Sequence, residues 1–335
     1  CCCCCAGEIP ERAKALADAL WTIGGGAAVV DDAAAPSPQT PPPLIHSVWV
    51  NFNDARDNVI VGDSWAHVAG QRWHWSRAGD ADVCYTPGSF MQSNTAAYHR
   101  LLEALRSHVP AGSAVSELYA GAGAIGLSIA AAAAAETAGA GAAEAAATWS
   151  VRCVESVAAA AEPFAVSVAR LPEHARARVS FEVARAEEAV GAAVKDADVF
   201  IVDPPRKGLD KNTLAALTDG SVDVDGGGVE GGGGGGGGNK RNNRRKRAKA
   251  YISGLPPPPA PTPVRMVVAQ QQLPPPPPRL KTLLYVSCGF SSFERDADAL
   301  VGSGQWALTH AEGFNFFPGG DALEVLAVFQ RTRVD

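Results

Sequence analysis

The sequence predicts an α/β fold in which a mainly parallel, doubly wound sheet of seven strands follows a small β element. Three observations carry this prediction. From about Val115 onward, short apolar runs alternate with helical stretches, which makes consecutive strands parallel and covers both faces of one sheet with helices. A glycine-rich turn at residues 121–126 directly follows the first of those runs. The last two runs follow each other with little between them, which predicts an antiparallel hairpin at one sheet edge.

Residues 1–43 are rich in Ala and Pro and are expected to be low-complexity and poorly ordered. Residues 44–93 change character. Apolar and aromatic runs at 44–51, 58–62 and 65–75, separated by turn residues, read as short strands of a small β subdomain. Residues 94–108 put Ala97, Leu101, Leu102 and Leu105 on one helical face. The strands of the main domain, 94–335, are read at 115–119, 150–154, 179–183, 199–202, 282–286, 307–312 and 324–329. The longest apolar stretch, 127–147, is mostly Ala and reads as an extended helix rather than a membrane span. Residues 225–278 are a Gly run, a basic run and a Pro run, a composition with nothing to bury, and are read as a disordered insert between the fourth and fifth strands.

Charge narrows the function classes. The chain of 335 residues has a formal net charge of −6. Seven of its 29 Lys and Arg residues sit in the insert at residues 240–249, which reads equally as a nuclear signal or RNA tether and as a solvated charge run. The acidity counts against a broad basic nucleic-acid surface, though not against a local one. Five of eight cysteines form the opening run, which lacks metal-ligand spacing, so no metal site is expected. Cys84, Cys153 and Cys288 are too scattered for a disulfide framework and suggest a reducing compartment. The basic insert points to the nucleus and a truncated targeting segment would point equally to an organelle, which leaves the compartment open. The chain opens without Met and without a signal sequence, and its start reads as a truncation.

Glu117-Leu118-Tyr119-Ala120-Gly121-Ala122-Gly123 ends a strand and opens a helix, and its glycines allow a ligand to approach the backbone closely. With Gly126 the motif also satisfies GxGxxG, so alone it does not separate NAD from S-adenosylmethionine (AdoMet). Glu155 ends the second strand, where a carboxylate accepts hydrogen bonds from ribose hydroxyls of either cofactor. Adenine is expected near residues 184–188. The fourth strand runs into Asp203-Pro204-Pro205-Arg206, whose prolines hold the chain extended past the strand's carboxyl end with Asp203 facing the reacting centre. A dehydrogenase has no use for that sequence, but a methyltransferase acting on a planar base does.

A cysteine beside a strand is more often packing than nucleophile. Cys288, in Tyr285-Val286-Ser287-Cys288, ends the fifth strand on the same sheet edge as the Gly turn and Asp203, which favours chemistry. C5 of uridine is a poor carbon nucleophile until a thiolate adds to C6 and creates an enolate. Methylation at C5 then requires a base to remove the C5 proton so that the thiolate leaves. Glu324 opens the last strand beside a Gly-rich turn and is the candidate base, with Asp321 as a rival.

Together these motifs resemble the RNA 5-methyluridine (uracil-C5) methyltransferases, a class I AdoMet-dependent family acting on tRNA and rRNA. The resemblance covers residues 44–335 apart from the insert. It implies a Rossmann-like seven-stranded sheet, AdoMet as cofactor, Cys288 as nucleophile and Glu324 as proton acceptor. It further implies Gln92, Tyr119, Gly121, Gly123, Glu155 and Asp203 as contacts for cofactor or uracil, and an unpaired or loop uridine as substrate. A monomer without membrane association is expected. The chain departs from the family in lacking an OB-like amino-terminal domain and an iron–sulfur Cys cluster. It also has Ala322 two residues before Glu324, where many members have His, and Ala124 where Asn often helps hold the cofactor.

Three rivals remain. A cytosine-C5 enzyme usually has a cysteine directly after the proline of the fourth-strand motif, where this chain continues Pro205-Arg206. An NAD oxidoreductase leaves both the Asp203 and Cys288 motifs unexplained. A catalytically inactive RNA-binding protein would keep the fold and the cofactor site without Cys288-dependent turnover.

Overall fold

A computed structural model describes residues 9–25, 44–54, 60–62, 64–139, 149–219, 279–320 and 323–332. The insert at 225–278, Asp321, Ala322 and the first two residues of the run at 58–62 lie outside the described residues, as does the end of the Ala-rich stretch, while residues 60–62, read as part of a strand, form none.

Seven strands form one sheet. They are β5 (Ala114–Leu118), β6 (Ser150–Glu155), β7 (Val179–Val183), β8 (Val199–Val202), β9 (Thr282–Ser287), β10 (Trp306–Phe314) and β11 (Glu324–Arg331). Their order is β10-β11-β9-β8-β5-β6-β7. β5 to β9 run parallel, whereas β11 is antiparallel to both β9 and β10. The chain thus winds outward from β5 in one direction to β7 and then in the other to β8 and β9. The crevice where those directions part, beyond the carboxyl ends of β5 and β8, is where such sheets bind ligands.

Strands buried on both faces read as continuous apolar runs, and β8, Val-Phe-Ile-Val, is buried throughout. Successive residues feed two separate cores. Val199, Ile201, Leu284 and Leu326 pack with α2 (Thr95–Ser107), α3 (Ala124–Gly139) and α4 (Ala161–Val168). Phe200, Val202, Leu283 and Phe329 pack with α6 (Ala186–Lys195), α7 (Lys211–Thr218) and α8 (Phe290–Gly302). A short α5 (Glu173–Arg176) precedes β7. On α2 the four buried residues are Ala97, Leu101, Leu102 and Leu105, the face expected from their spacing.

The small β element is two antiparallel hairpins, each a separate two-stranded sheet. β1 (Ser47–Phe52) pairs with β2 (Ser64–Gly70), and β3 (His74–Ala78) pairs with β4 (Ala81–Tyr85). The run 65–75, read as one strand, is split at Gly70, whose φ of +86° turns the chain and which only glycine adopts without strain. A second correction concerns the first 43 residues, because residues Glu11–Ile23 form a helix, α1. Ala17 is its buried residue, and the Trp21 ring lies against Gly70 of β2. Its order therefore comes from the hairpin it packs on, which Ala-rich composition does not reveal.

Candidate active site

Sheet register gathers the candidate residues. Leu118 pairs with Val154 and Val202, and Val202 with Tyr285, so these residues form one row across β6, β5, β8 and β9. Tyr119, Glu155 and Asp203 are the next residue on their strands, and Cys288 follows three after Tyr285. Because β11 is antiparallel, it begins where the others end. Val325 lies opposite Ser287, which puts Glu324 beside Cys288. Five residues from five strand ends share one edge.

On the glycine side, Gly121 and Gly123 have φ of +55° and +75°. A Cβ on Gly123 would strike the Phe164 ring at 2.3 Å, so glycine is required there for packing, whereas a Cβ on Gly121 would meet open space. Glu155 anchors this turn. One carboxylate oxygen accepts the Gly121 N–H at 2.9 Å, and the other accepts the Val157 N–H at 2.9 Å and the Ser156 hydroxyl at 3.0 Å. About four acceptor positions on a carboxylate leave room for one further donor, such as a ribose hydroxyl.

Beside Glu155 lies a cavity of about 690 Å³, bordered by Val154, Ala184, Ala186, Pro205, Gly208 and Tyr119. Polar side chains line it too, the carboxylates of Glu155, Glu187 and Asp210 and the cations of Arg185 and Lys207, a mix that can take an adenosine group, and it includes residues 184–187 of the stretch where adenine was expected. Tyr119, at φ +60°, borders it while its hydroxyl donates to Asp210 Oδ2 at 2.8 Å. Asp210 Oδ1 in turn caps α7 by accepting from the Asn212 and Thr213 N–H groups, each at 2.9 Å. Tyr119 thus enters the site as a ring held from behind.

On the Cys288 side two carboxyls and a thiol influence one another, with the Arg206 cation near Glu324 and Cys288. Glu324 is 6% exposed. Burial raises its pKa, against the lowering influence of the Arg206 guanidinium. Asp203 is pushed up to about 7, first by burial and then by the charge of Glu324. The half-buried Cys288 thiol is raised by burial, then by Glu324 and Asp203, with Arg206 opposing. Carboxyls whose pKa values are raised by burial, beside a partly accessible thiol, are what covalent catalysis with a proton acceptor needs. Gln92 is partly exposed in the turn before α2. Asn94 caps that helix and donates its side-chain amide to the Phe316 carbonyl at 3.1 Å. This bond ties the Gln92 turn to the loop leading into Glu324.

Sequence reasoning missed the groups that hold these parts. Asp296 of α8 is fully buried. Its Oδ2 accepts the Leu209 N–H and the Tyr285 hydroxyl, both at 2.8 Å, and its Oδ1 accepts from Arg295 at 3.0 and 2.8 Å. Ser292 Oγ also donates to the Arg206 carbonyl at 2.7 Å. The loop carrying Asp203 and Arg206 is thereby clamped to the helix that follows Cys288. A signal was available, since Phe293, Asp296, Ala297 and Leu300 share one helical stripe, which put Asp296 inside. Replacing Asp296 by Ala strands a buried hydroxyl and a buried N–H, at a cost of about 2–4 kcal/mol. Urea unfolding should show that loss, with Asp296→Asn milder because its oxygen still accepts.

Glu117 was also missed. It is buried beneath the Gly turn, where Oε2 accepts from the Gly126 N–H at 2.9 Å and the Cys153 thiol at 3.2 Å. Burial pushes its pKa to about 8 from an ordinary 4.5 despite those two bonds, with Asp203 and Glu155 adding to the rise. The folded chain therefore keeps this proton to higher pH than the unfolded chain does. Its contribution to stability falls as pH rises between those two values and levels off above the folded one. Glu117→Gln removes that slope, so the Tm of the variant should gain on the parent's between pH 5 and pH 8 in a thermal scan.

No protein-family model matches the chain. It is 28% identical over 286 residues to an uncharacterised RNA methyltransferase of Protochlamydia amoebophila, an alignment covering 85% of this chain and 55% of that protein. It is 31% identical over 172 residues to another of Thermosynechococcus vestitus, covering 51% of this chain and 34% of that one. The chain thus spans about half the length of the first relative and a third of the second. Among solved structures, the tRNA (uracil-54, C5)-methyltransferase of Pyrococcus abyssi in complex with S-adenosyl-L-homocysteine matches with a TM-score of 0.54 and 19% identity. That match covers 88% of this chain and 54% of the other. The fold is accordingly the Rossmann-like one of class I methyltransferases, as expected from the sequence.

Proposed function

We propose that the chain is an AdoMet-dependent methyltransferase that acts on C5 of a uridine in RNA, with tRNA or rRNA as the substrate class. The observation that carries this reading is the meeting of Cys288, Glu324 and Asp203 at one sheet edge beside the adenosine-sized cavity. The relatives and the Pyrococcus abyssi structure support it from outside the chain.

Glu155, Gly121 and Gly123 would hold AdoMet, with the adenine end toward residues 184–187. When bound there, AdoMet supplies an electrophilic methyl group. The remaining work falls to the chain. The Cys288 thiolate adds to C6 of uracil, and the ring's electron pair moves toward C5 and O4. Asp203, whose pKa burial and the Glu324 charge push up to about 7, is suited to hydrogen-bond the uracil edge. Once C5 is methylated, Glu324 accepts the C5 proton, the C5–C6 double bond re-forms and the thiolate is expelled. Its raised pKa makes Glu324 a stronger base than a solvated carboxylate.

Since the C5 hydrogen leaves as a proton, RNA labelled with tritium at C5 of uridine should release label into water only with AdoMet present. Label at C5 of cytidine should stay in the RNA. Release from cytidine instead would point to the cytosine-C5 alternative. AdoMet binding with no release from either would point to an inactive binding protein.

A further inference from the structure

A second cavity, of about 210 Å³, opens between the two N-terminal hairpins. Its walls include Trp49 of β1, Arg72 of the turn after β2, His74 at the start of β3, Tyr85 at the end of β4, and Met91. The rings are held in place. Trp49 Nε1 donates to Ser47 Oγ at 3.1 Å, and the indole lies against His67 with centroids 4.8 Å apart. His74 lies between His46 and Tyr85, at 5.8 and 6.5 Å. Arg72 donates to both Glu162 oxygens at 2.9 and 3.0 Å, sits 4.7 Å over the Trp73 ring, and remains 47% exposed. Fixed aromatic faces with a guanidinium beside them form the kind of surface on which an unpaired base stacks.

The cavity is joined to the catalytic edge. Met91 precedes Gln92, and Asn94 is bonded to the Phe316 carbonyl at 3.1 Å, in the loop that leads to Glu324. Three residues span at most about 11 Å when extended, so the cavity wall at Met91 lies within that distance of Asn94, and Tyr98 of α2 is close enough to feel both Tyr85 in the cavity wall and Asp203 at the sheet edge. We propose that it is a subsite for an unpaired base on the same RNA strand as the methylated uridine. It would supply the local RNA grip that an acidic chain cannot obtain from broad charge. The proposal rests on the RNA reading above and adds a second point of contact to it.

The test uses the full chain and a mixed-sequence single-stranded RNA carrying 4-thiouridine, irradiated and mapped by peptide mass, with affinity followed by fluorescence anisotropy. Crosslinks to peptides containing Trp49 or residues 85–91 are expected. Trp49→Ala should weaken single-strand binding about tenfold, Trp49→Phe should restore most of it, and duplex binding should not change. Crosslinks confined to other parts of the chain would overturn the subsite, as would a folded Trp49→Ala variant that binds like the parent. Tritium release is scored separately. Trp49-dependent binding without release leaves the subsite standing and removes the uracil-C5 reading, whereas release with unaltered Trp49→Ala binding does the reverse. A parent chain that binds no RNA overturns both.

Discussion

Cys288→Ala should lower methyl transfer to RNA by a factor on the order of 10⁴ or more, while AdoMet binding should stay at the parent level. The size follows from what the thiol does. Without addition at C6 there is no electron density at C5 to accept a methyl group, and nearby groups cannot replace a missing covalent step. AdoMet binding should be unaffected because the expected cofactor contacts, Glu155 and the Gly turn, lie at the ends of β6 and β5, whereas Cys288 follows β9. Equilibrium binding by calorimetry and turnover by tritium release separate the two effects. Turnover that survives in the alanine variant would remove covalent catalysis from consideration.

Glu324→Gln has a different signature. It should lower turnover by about 10²–10⁴-fold, the usual contribution of a positioned base, and leave Cys288 attached to RNA because the C5 proton is not removed. The variant should also change the free enzyme. Glu324 is the largest charge raising the Cys288 pKa, ahead of Asp203. Removing it lowers that pKa, so alkylation of Cys288 by iodoacetamide below the thiol's pKa should become faster even as turnover collapses. A variant that loses turnover with neither accumulated adduct nor faster alkylation would assign Glu324 a structural role instead.

Much of the edge was legible in the sequence because the sheet is buried on both faces. Apolar runs such as 199–202 have to be strands there, and their neighbours in sequence become strand ends. The antiparallel start of β11 was legible too, from the missing helix between the last two runs, and it placed Glu324 on the same edge as Cys288. β10 and β11 were read short, since Trp306, Gly313, Phe314, Gln330 and Arg331 are joined to the strands by the pairing of β10 with β11, Trp306 opposite Arg331 and Phe314 opposite Glu324, which no period in the sequence reveals. Two kinds of feature were not legible. α1 and the separate pairing of the hairpins depend on tertiary contacts that leave no period in the sequence. The buried carboxylates Glu117 and Asp296, with Asp210 behind Tyr119, look like ordinary polar residues until their donors are known, because burying a carboxylate is tolerated only where hydrogen bonds meet it.

The most direct test of covalent catalysis at this edge is to incubate the chain with AdoMet and RNA from cells grown in 5-fluorouracil, then resolve the products on a denaturing gel and map any adduct by peptide mass. Fluorine at C5 does not leave as a proton, so Glu324 cannot complete the reaction and the chain should remain bound to RNA through Cys288, with no adduct from Cys288→Ala. An AdoMet-binding chain that forms no adduct with such RNA, or one that is trapped through a different residue, would contradict the assignment of Cys288 as the nucleophile for uridine C5.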